Sequence, residues 1–407
     1  MMRGLATDPV RHLLVVGAGI GGLSAALALQ RHGFRASLYE RAGALNEVGA
    51  GVLMTPNAIH GLKFLGVGDQ VTACSIRSRG HEYRHYRTGE VLQRRPPAEA
   101  YAASYGAGIY YVHRADLHGV LLAAVLANDP DCVHCGHAFT DFSQDEEGVV
   151  VRFANGTRIE GAALIGADGC RSVVREALHG REPVAYMSQV AFRALVPRTR
   201  LPDSYDYRRS MHLGPGRLLL SYPLRNNAFM NVVAIARQRA WQEESWTVDA
   251  DISELLQLYA DFNEEVCGLI KAVEAGTLFK WGLHDRPPLA RWSSGRVTLL
   301  GDAAHPMSPF LGQGAALAIE DGVVLGRCLA EACDLPPALA LYERLRKPRA
   351  DAAQRHSLAR ADALQGAFVD NFDARRDAED TRLLGALFAY NPATICLDEE
   401  FAMEGQS

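Results

Sequence analysis

The spacing of apolar and polar positions divides the chain into stretches of different period. An apolar, β-branched run over His12–Val16 leads into Gly17-Ala18-Gly19-Ile20-Gly21-Gly22, and an apolar helical pattern continues to Gln30. After Gly33 a second strand-like run, 36–39, ends at Glu40. Strand, glycine turn, helix and strand in this order predict a βαβ unit with parallel strands. A helical stretch near 116–127 precedes strand-like runs at 133–142 and 149–153, and Asn155-Gly156 marks a hairpin turn before 158–165. These predict a small antiparallel insert that returns to the main sheet. Between about 183 and 285 alternating runs at 190–196, 217–222 and 229–235 predict a largely antiparallel sheet, with a helix near 252–262. The run 296–300 predicts a buried strand returning to the first domain. The Ala/Leu/Arg-rich segments after Gly314 predict helices, one of them kinked or ended by Pro348.

The expected fold class is therefore α/β. A discontinuous Rossmann-like domain spans 1–182 and 286–350, an antiparallel-sheet domain spans 183–285 with part of 75–110, and a C-terminal helical segment spans 351–407. Composition supports a well-packed core: 407 residues, 48% hydrophobic and 22% charged, exclude a disordered chain and a small disulfide scaffold. A net charge of −5 argues against nucleic acid as a partner. The eight cysteines are scattered and are expected to be reduced thiols. The longest uncharged apolar stretch, 13–29, has four glycines clustered at 17–22, so a phosphate loop explains it better than a membrane span. Residues 1–11 show no export signal, and the expected location is the cytoplasm without membrane attachment.

Gly17-x-Gly19-x-x-Gly22 lies between strand and helix, where the three glycines serve in turn for a tight bend, close approach to a pyrophosphate, and close helix packing. Glu40, eighteen residues after Gly22, is placed to accept ribose hydroxyls. Gly166-Ala167-Asp168-Gly169, continuing through Ser172 to Arg175, and Gly301-Asp302-Ala303-Ala304-His305-Pro306 each put a carboxylate at a strand end, where doubly wound sheets collect ligands. Pro309-x-x-Gly312-x-Gly314 then opens a helix whose free amides suit an electron-rich ring edge.

In this order and spacing the three motifs resemble the class A flavoprotein monooxygenases, the FAD-dependent aromatic hydroxylases, and most closely their salicylate and 6-hydroxynicotinate hydroxylase-like branch. Val48-Gly49-Ala50-Gly51 with Pro56-Asn57, the segment 112–117, Asp285-Arg286-Pro287-Pro288 and the helical segment 342–349 extend the resemblance over most of the chain. It implies a p-hydroxybenzoate hydroxylase-like fold. FAD would be held by Gly17, Gly19, Gly22, Glu40 and Arg41 at its ADP half, by Arg114 near the pyrophosphate and by Asp302 at a ribityl hydroxyl. Val52 and Leu53 would lie beside the flavin, and Gly312, Gly314 and Ala315 would face its pyrimidine edge. Asp168 belongs to a motif associated with FAD and nicotinamide cofactor, or caps the helix starting near Ser172.

The resemblance further implies that NADH or NADPH reduces the flavin and that one oxygen of O₂ enters a small aromatic or heteroaromatic phenol or acid through a flavin C4a-hydroperoxide. Catalytic candidates are His305, as a proton relay with buttressing of its own loop the competing role, and Tyr222. Substrate candidates are Arg193, Arg217, Tyr222 and Pro309, with sheet packing the competing role for the arginines and Tyr222. A single G-x-G-x-x-G leaves the nicotinamide cofactor without its own Rossmann domain, and the four tryptophans do not form the flavin-halogenase signature. Alternatives are oxygenation of a bulkier isoprenoid or quinone, and a flavin-binding regulatory protein. No metal site is expected: Cys132-x-x-Cys135, with His134 and His137, lacks a second ligand pair at zinc spacing. Arg344, Arg346, Lys347 and Arg349 read as a solvated helix face. The protein is expected to be a monomer or homodimer.

Overall fold

The computed structural model describes residues 12–45, 51–181, 184–239, 248–365 and 382–397, apart from the side chain of residue 362. The leader 1–11, Val48-Gly49-Ala50 and much of the 351–407 segment lie outside the described residues.

A six-stranded sheet has the order Ser293–Ser294, Val297–Leu299, Ala163–Gly166, His12–Val16, Arg35–Tyr39, Val133–His134. Its last five strands run parallel, and Ser293–Ser294 alone is antiparallel. The strands at the centre of the sheet, His12–Val16, Ala163–Gly166 and Val297–Leu299, are buried on both faces and largely apolar. Helices Ile20–Arg31 and Gly314–Glu331 cross close together on the sheet: a Cβ on Gly322 would meet Ala25 N at 2.7 Å. The antiparallel insert is Phe139–Gln144, Val149–Phe153 and Arg158–Gly161.

An eight-stranded sheet has the order Val248–Asp249, Phe279–Asp285, Ala185–Pro197, Phe229–Arg237, Arg217–Leu224, Arg209–Gly214, His81–His85, Val91–Arg95. All neighbours are antiparallel except Arg209–Gly214 with His81–His85. Side-chain alternation gives it two distinct faces. Val190, Phe192, Leu219 and Val232 pack against helices Ile252–Leu258 and Glu264–Lys271. Ala191, Leu218, Tyr222 and Leu224 point the other way and share clusters with Phe310 and Leu311, which follow the Gly-Asp loop.

Three local expectations change. The run 133–142 is two strands, Val133–His134 and Phe139–Gln144, separated at Gly136 with φ +72°. The helix near 252–262 is two helices, the second capped by Asn263 Oδ1, which accepts the Val266 N–H at 3.1 Å. Helix Leu335–Leu364 passes through Pro348 without ending, so a boundary at 350/351 falls inside one continuous helix.

Candidate functional site

The glycine loop forms as its spacing requires. Gly17 has φ +104°, and a Cβ there would lie 2.4 Å from Ala167 O; a Cβ on Gly22 would lie 1.9 Å from Gly17 O. A Cβ on Gly19 meets nothing within 4 Å, because Gly19 faces the open side of the loop. Buried His118 fixes the loop from beneath, with Nε2 2.8 Å from Ala18 O. Above it lies a cavity of about 440 Å³ lined by residues that include Gly17, Gly19, Glu40, Arg41, Arg114 and Asp168. Glu40 is locked in place, accepting the Ala18 and Ala42 N–H groups at 3.0 Å each. Asp168 borders the cavity but also holds its own turn: it bonds Ser172 Oγ at 2.5 Å and accepts the Val173 and Val174 N–H groups. Burial raises the Asp168 pKa, and these bonds work against that rise.

Asp302 lies where the six-stranded sheet ends, crowded by protein yet with its side chain open to the cleft. Crowding raises its pKa, while His305, Arg114 and Arg175 oppose the shift. A Cβ on Gly314 would come within 3.8 Å of Asp302 Oδ1, so the first turn of helix Gly314–Glu331 sits against this carboxylate. That turn has no acidic residue and no side-chain cap, which leaves its N–H groups and the positive end of the helix dipole for a ligand. Gly312, at φ +65°, brings its backbone beside Leu53: an added Cβ would lie 3.3 Å from Leu53 Cδ2. Leu53 belongs to strand Gly51–Met54, which docks on the large sheet through the Gly51 N–H to Asn231 Oδ1 at 3.1 Å.

His305 does not face this cleft. It is 0% exposed, bonds Asp321 Oδ2 through Nε2 at 2.6 Å and packs on Trp292, so it buttresses the loop instead of acting as a catalytic group. Asp321 also accepts from Arg346 Nε at 2.7 Å and from the Gly301 N–H at 3.1 Å. Burial alone would raise the Asp321 pKa, but His305 and Arg346 outweigh it and hold it at about 2. Arg346, expected on a solvated face, is 0% exposed between Asp321 and Glu320, and Glu320 also binds Arg349 and Asn57. A chain of buried charges thus ties the Gly-Asp loop to helices Pro56–Phe64, Gly314–Glu331 and Leu335–Leu364.

On the large sheet, parity separates the candidates. Tyr222, 6% exposed, faces the cleft, where a Cβ on Gly51 would meet its ring at 2.4 Å. Burial raises the Tyr222 pKa to about 12 against the pull of Arg193 and Arg209. Arg193 shares the cleft face, stacks over Trp281 at 5.3 Å and keeps a buried Nε without a hydrogen-bond partner among the described residues. Burial, with a smaller contribution from Arg114, lowers its pKa. Arg217 is odd-numbered along the same strand as Tyr222, points to the opposite face and pairs with Asp261 at 3.0 Å over the Phe262 ring. Arg217 therefore lies away from the cleft and supports the sheet against the helices behind it. Pro309 is exposed and accepts the Gly312 N–H at 3.1 Å, while Phe310 and Leu311 line the cavity beside it. That narrow cavity runs from Leu53 to His81, Tyr83, Arg95, Arg209 and Arg360.

A model of the family described as FAD binding domain matches residues 11–357. The chain belongs to the class A flavoprotein monooxygenases. It is 37% identical over 350 residues to a 3-amino-4-hydroxybenzoate 2-monooxygenase of Streptomyces platensis, covering 86% of this chain and 87% of the relative. It is 35% identical over 351 residues to the 6-hydroxynicotinate 3-monooxygenase of Pseudomonas fluorescens, covering 85% and 90%. Klebsiella pneumoniae HpxO, solved with FAD and uric acid, superimposes with a TM-score of 0.81 at 28% identity over 99% of this chain and 97% of that one.

The geometry of this monooxygenase fits FAD. The space beyond Gly19 is a cradle that a side chain would fill, Arg114 both lines it and acts on Asp302, and Asp302 with the uncapped helix end at Gly314 presents an acceptor and donors side by side. Sequence reading found the glycine loop and the Gly-Asp turn but missed His81, Arg95, Arg209 and Arg360. The strands HEYRH and VLQRR and the arginine preceding SMHLG carry no motif. All eight cysteines are free thiols. No helix among the described residues is long and apolar enough to cross a membrane.

Proposed function

We propose that this FAD-dependent monooxygenase hydroxylates a small aromatic or heteroaromatic phenol or carboxylic acid, with O₂ as oxygen source and NADH or NADPH as reductant. The supporting observation is the narrow cavity between the Leu53 and Phe310-Leu311 segments, which adjoin the cofactor site, and the face of the large sheet. When bound, FAD supplies the redox and oxygen-activating chemistry. The chain's own work is to orient the ring and keep water out. Apolar Leu53, Ile109, Met211, Phe310 and Leu311 form walls, Tyr222 packs the cofactor-side strand against the sheet, and Arg193 puts a positive charge beside the cleft.

Relatives named for hydroxybenzoate and hydroxynicotinate oxygenation support a substrate of this size. The single dinucleotide fingerprint makes NAD(P)H a transient visitor, and we place the enzyme in the cytoplasm. Oxidation of NADH and NADPH, followed by absorbance with a panel of hydroxybenzoates and hydroxypyridines, tests the reading. Stimulation by at least one aromatic with matching hydroxylated product supports it; no stimulation by any member sinks it.

A further inference from the structure

Strand register assembles a polar row across the large sheet that no local motif announces. Asn231 pairs with Tyr222, Arg209 follows by continuing the Ser210–Ser221 register, Arg209 pairs with His81, and His81 pairs with Arg95. All five side chains leave the sheet on its cleft face. The Gly51 strand covers the Asn231 and Tyr222 end, whereas Arg209, His81 and Arg95 remain as lining of the narrow cavity. Arg360 enters from helix Leu335–Leu364 and donates to Tyr83 Oη at 2.6 Å.

The charge pattern of this end is one-sided. Three guanidinium groups and no Asp or Glu are among the described residues that line the cavity. Arg209 stacks over the Tyr111 ring at 5.8 Å, and its Nε is buried without a hydrogen-bond partner among the described residues. His81 is 6% exposed, and its Nε2 is likewise buried without a partner among them. Burial, then Arg209, Arg360 and Arg95, push the His81 pKa well below its ordinary value and keep the ring neutral. Although Arg209 also bonds the Tyr111 side chain, its Nε and the His81 Nε2 are left unpaired, and buried polar groups left unpaired are costly, so the cavity suits a ligand that brings acceptors to Arg209 and to His81 in its Nε2–H tautomer.

We propose that Arg209, with His81 beside it, holds the acidic group of the substrate and makes the enzyme select hydroxylated aromatic acids over their uncharged counterparts. This rests on the aromatic-hydroxylase reading above and goes further, naming the ligand charge and the side chain that recognises it. A carboxylate accepts from the guanidinium and offers its second oxygen to His81, while the ring lies toward Tyr222, Met211 and Leu53. Arg193 is left on the cofactor side of the sheet, close enough to Arg114 for the two cations to interact.

The test is binding to the FAD-loaded enzyme, read from the flavin absorbance change without reductant. The probes are 3-hydroxybenzoate and 6-hydroxynicotinate, each beside its carboxamide. Wild-type enzyme is expected to bind at least one acid tenfold or more tighter than its amide. Arg209→Gln is expected to raise the acid Kd about tenfold or more and leave the amide Kd within about twofold, with FAD content unchanged. Arg209→Lys, which keeps the charge, is expected to retain part of the preference, and it supplies the comparison if the glutamine variant does not load FAD. Equal binding of acids and amides by wild type, no acid binding, or an unchanged preference in the variants would overturn the proposal. Acid binding that depends on Arg209 without NAD(P)H-driven product would instead refute the hydroxylase reading and leave this one standing.

Discussion

Replacing Gly19 by serine separates a glycine needed for folding from one needed for the cofactor. Gly19 has φ −76° and ψ −174°, extended backbone open to any residue, and an added Cβ meets no atom within 4 Å. It is also the N-cap of helix Ile20–Arg31, without a side-chain capping bond, so a serine hydroxyl should stabilise the apoprotein by a few tenths of a kcal/mol. The same side chain would occupy the open space beyond Gly19, where the pyrophosphate of FAD is expected to approach. Each tenfold loss of affinity removes about 1.4 kcal/mol of stabilisation by saturating FAD. Gly22→Ala is the contrasting case: its Cβ would lie 1.9 Å from Gly17 O, and relief of that overlap should cost the apoprotein about 1 to 3 kcal/mol. Chemical unfolding with and without FAD, combined with flavin fluorescence titration, measures both quantities. Gly19→Ser should unfold like wild type without FAD and bind FAD at least tenfold more weakly. A wild-type FAD Kd in that variant, or apoprotein destabilisation equal to that of Gly22→Ala, would show that Gly19 serves folding and not the cofactor.

Asp302→Ala removes a charge-assisted acceptor of about 1.5 to 3 kcal/mol and should weaken FAD binding at least tenfold in the same titration. Arg346→Met leaves Asp321 and Glu320 buried without their shared cation, and denaturant unfolding should show a loss of about 3 to 5 kcal/mol. Folded Asp321 is held at about 2, below its ordinary 3.8, so the unfolded chain takes up this proton first as pH falls. Its contribution should be complete above about pH 4 and lost toward pH 2, and a carboxyl NMR titration of Asp321 with a midpoint near 4 would contradict this.

The parts legible in the sequence were those written in consecutive residues. Gly17, Gly19 and Gly22 act within one turn, and Asp302, Gly312 and Gly314 within one loop, so spacing alone located them. Arg217 and Tyr222 both stood as substrate candidates; they are five positions apart along Arg217–Leu224, so the strand presents them on opposite faces and only Tyr222 reaches the cleft. Arg209 and His81 meet only through a parallel pairing between distant parts of the chain, which local pattern does not specify. Their strands are also too polar to stand out as core. Arg346 looked solvated because its helix is polar overall, and the adjacent acids Glu320 and Asp321 that bury it lie on another helix. His305 followed the same logic: the motif was visible, but the carboxylate that turns its ring inward was not.

One atom of molecular oxygen is expected to enter an aromatic ring at the cleft between the Gly-Asp loop and the large sheet. The most direct test is mass spectrometry of the product formed from a stimulating hydroxyaromatic acid under ¹⁸O₂ with NAD(P)H. The expected product is heavier by one ¹⁸O atom under ¹⁸O₂ and unlabelled when the label is supplied in water. Label from water, or NAD(P)H consumed with hydrogen peroxide as the sole oxygen product for every member of the panel, would contradict it.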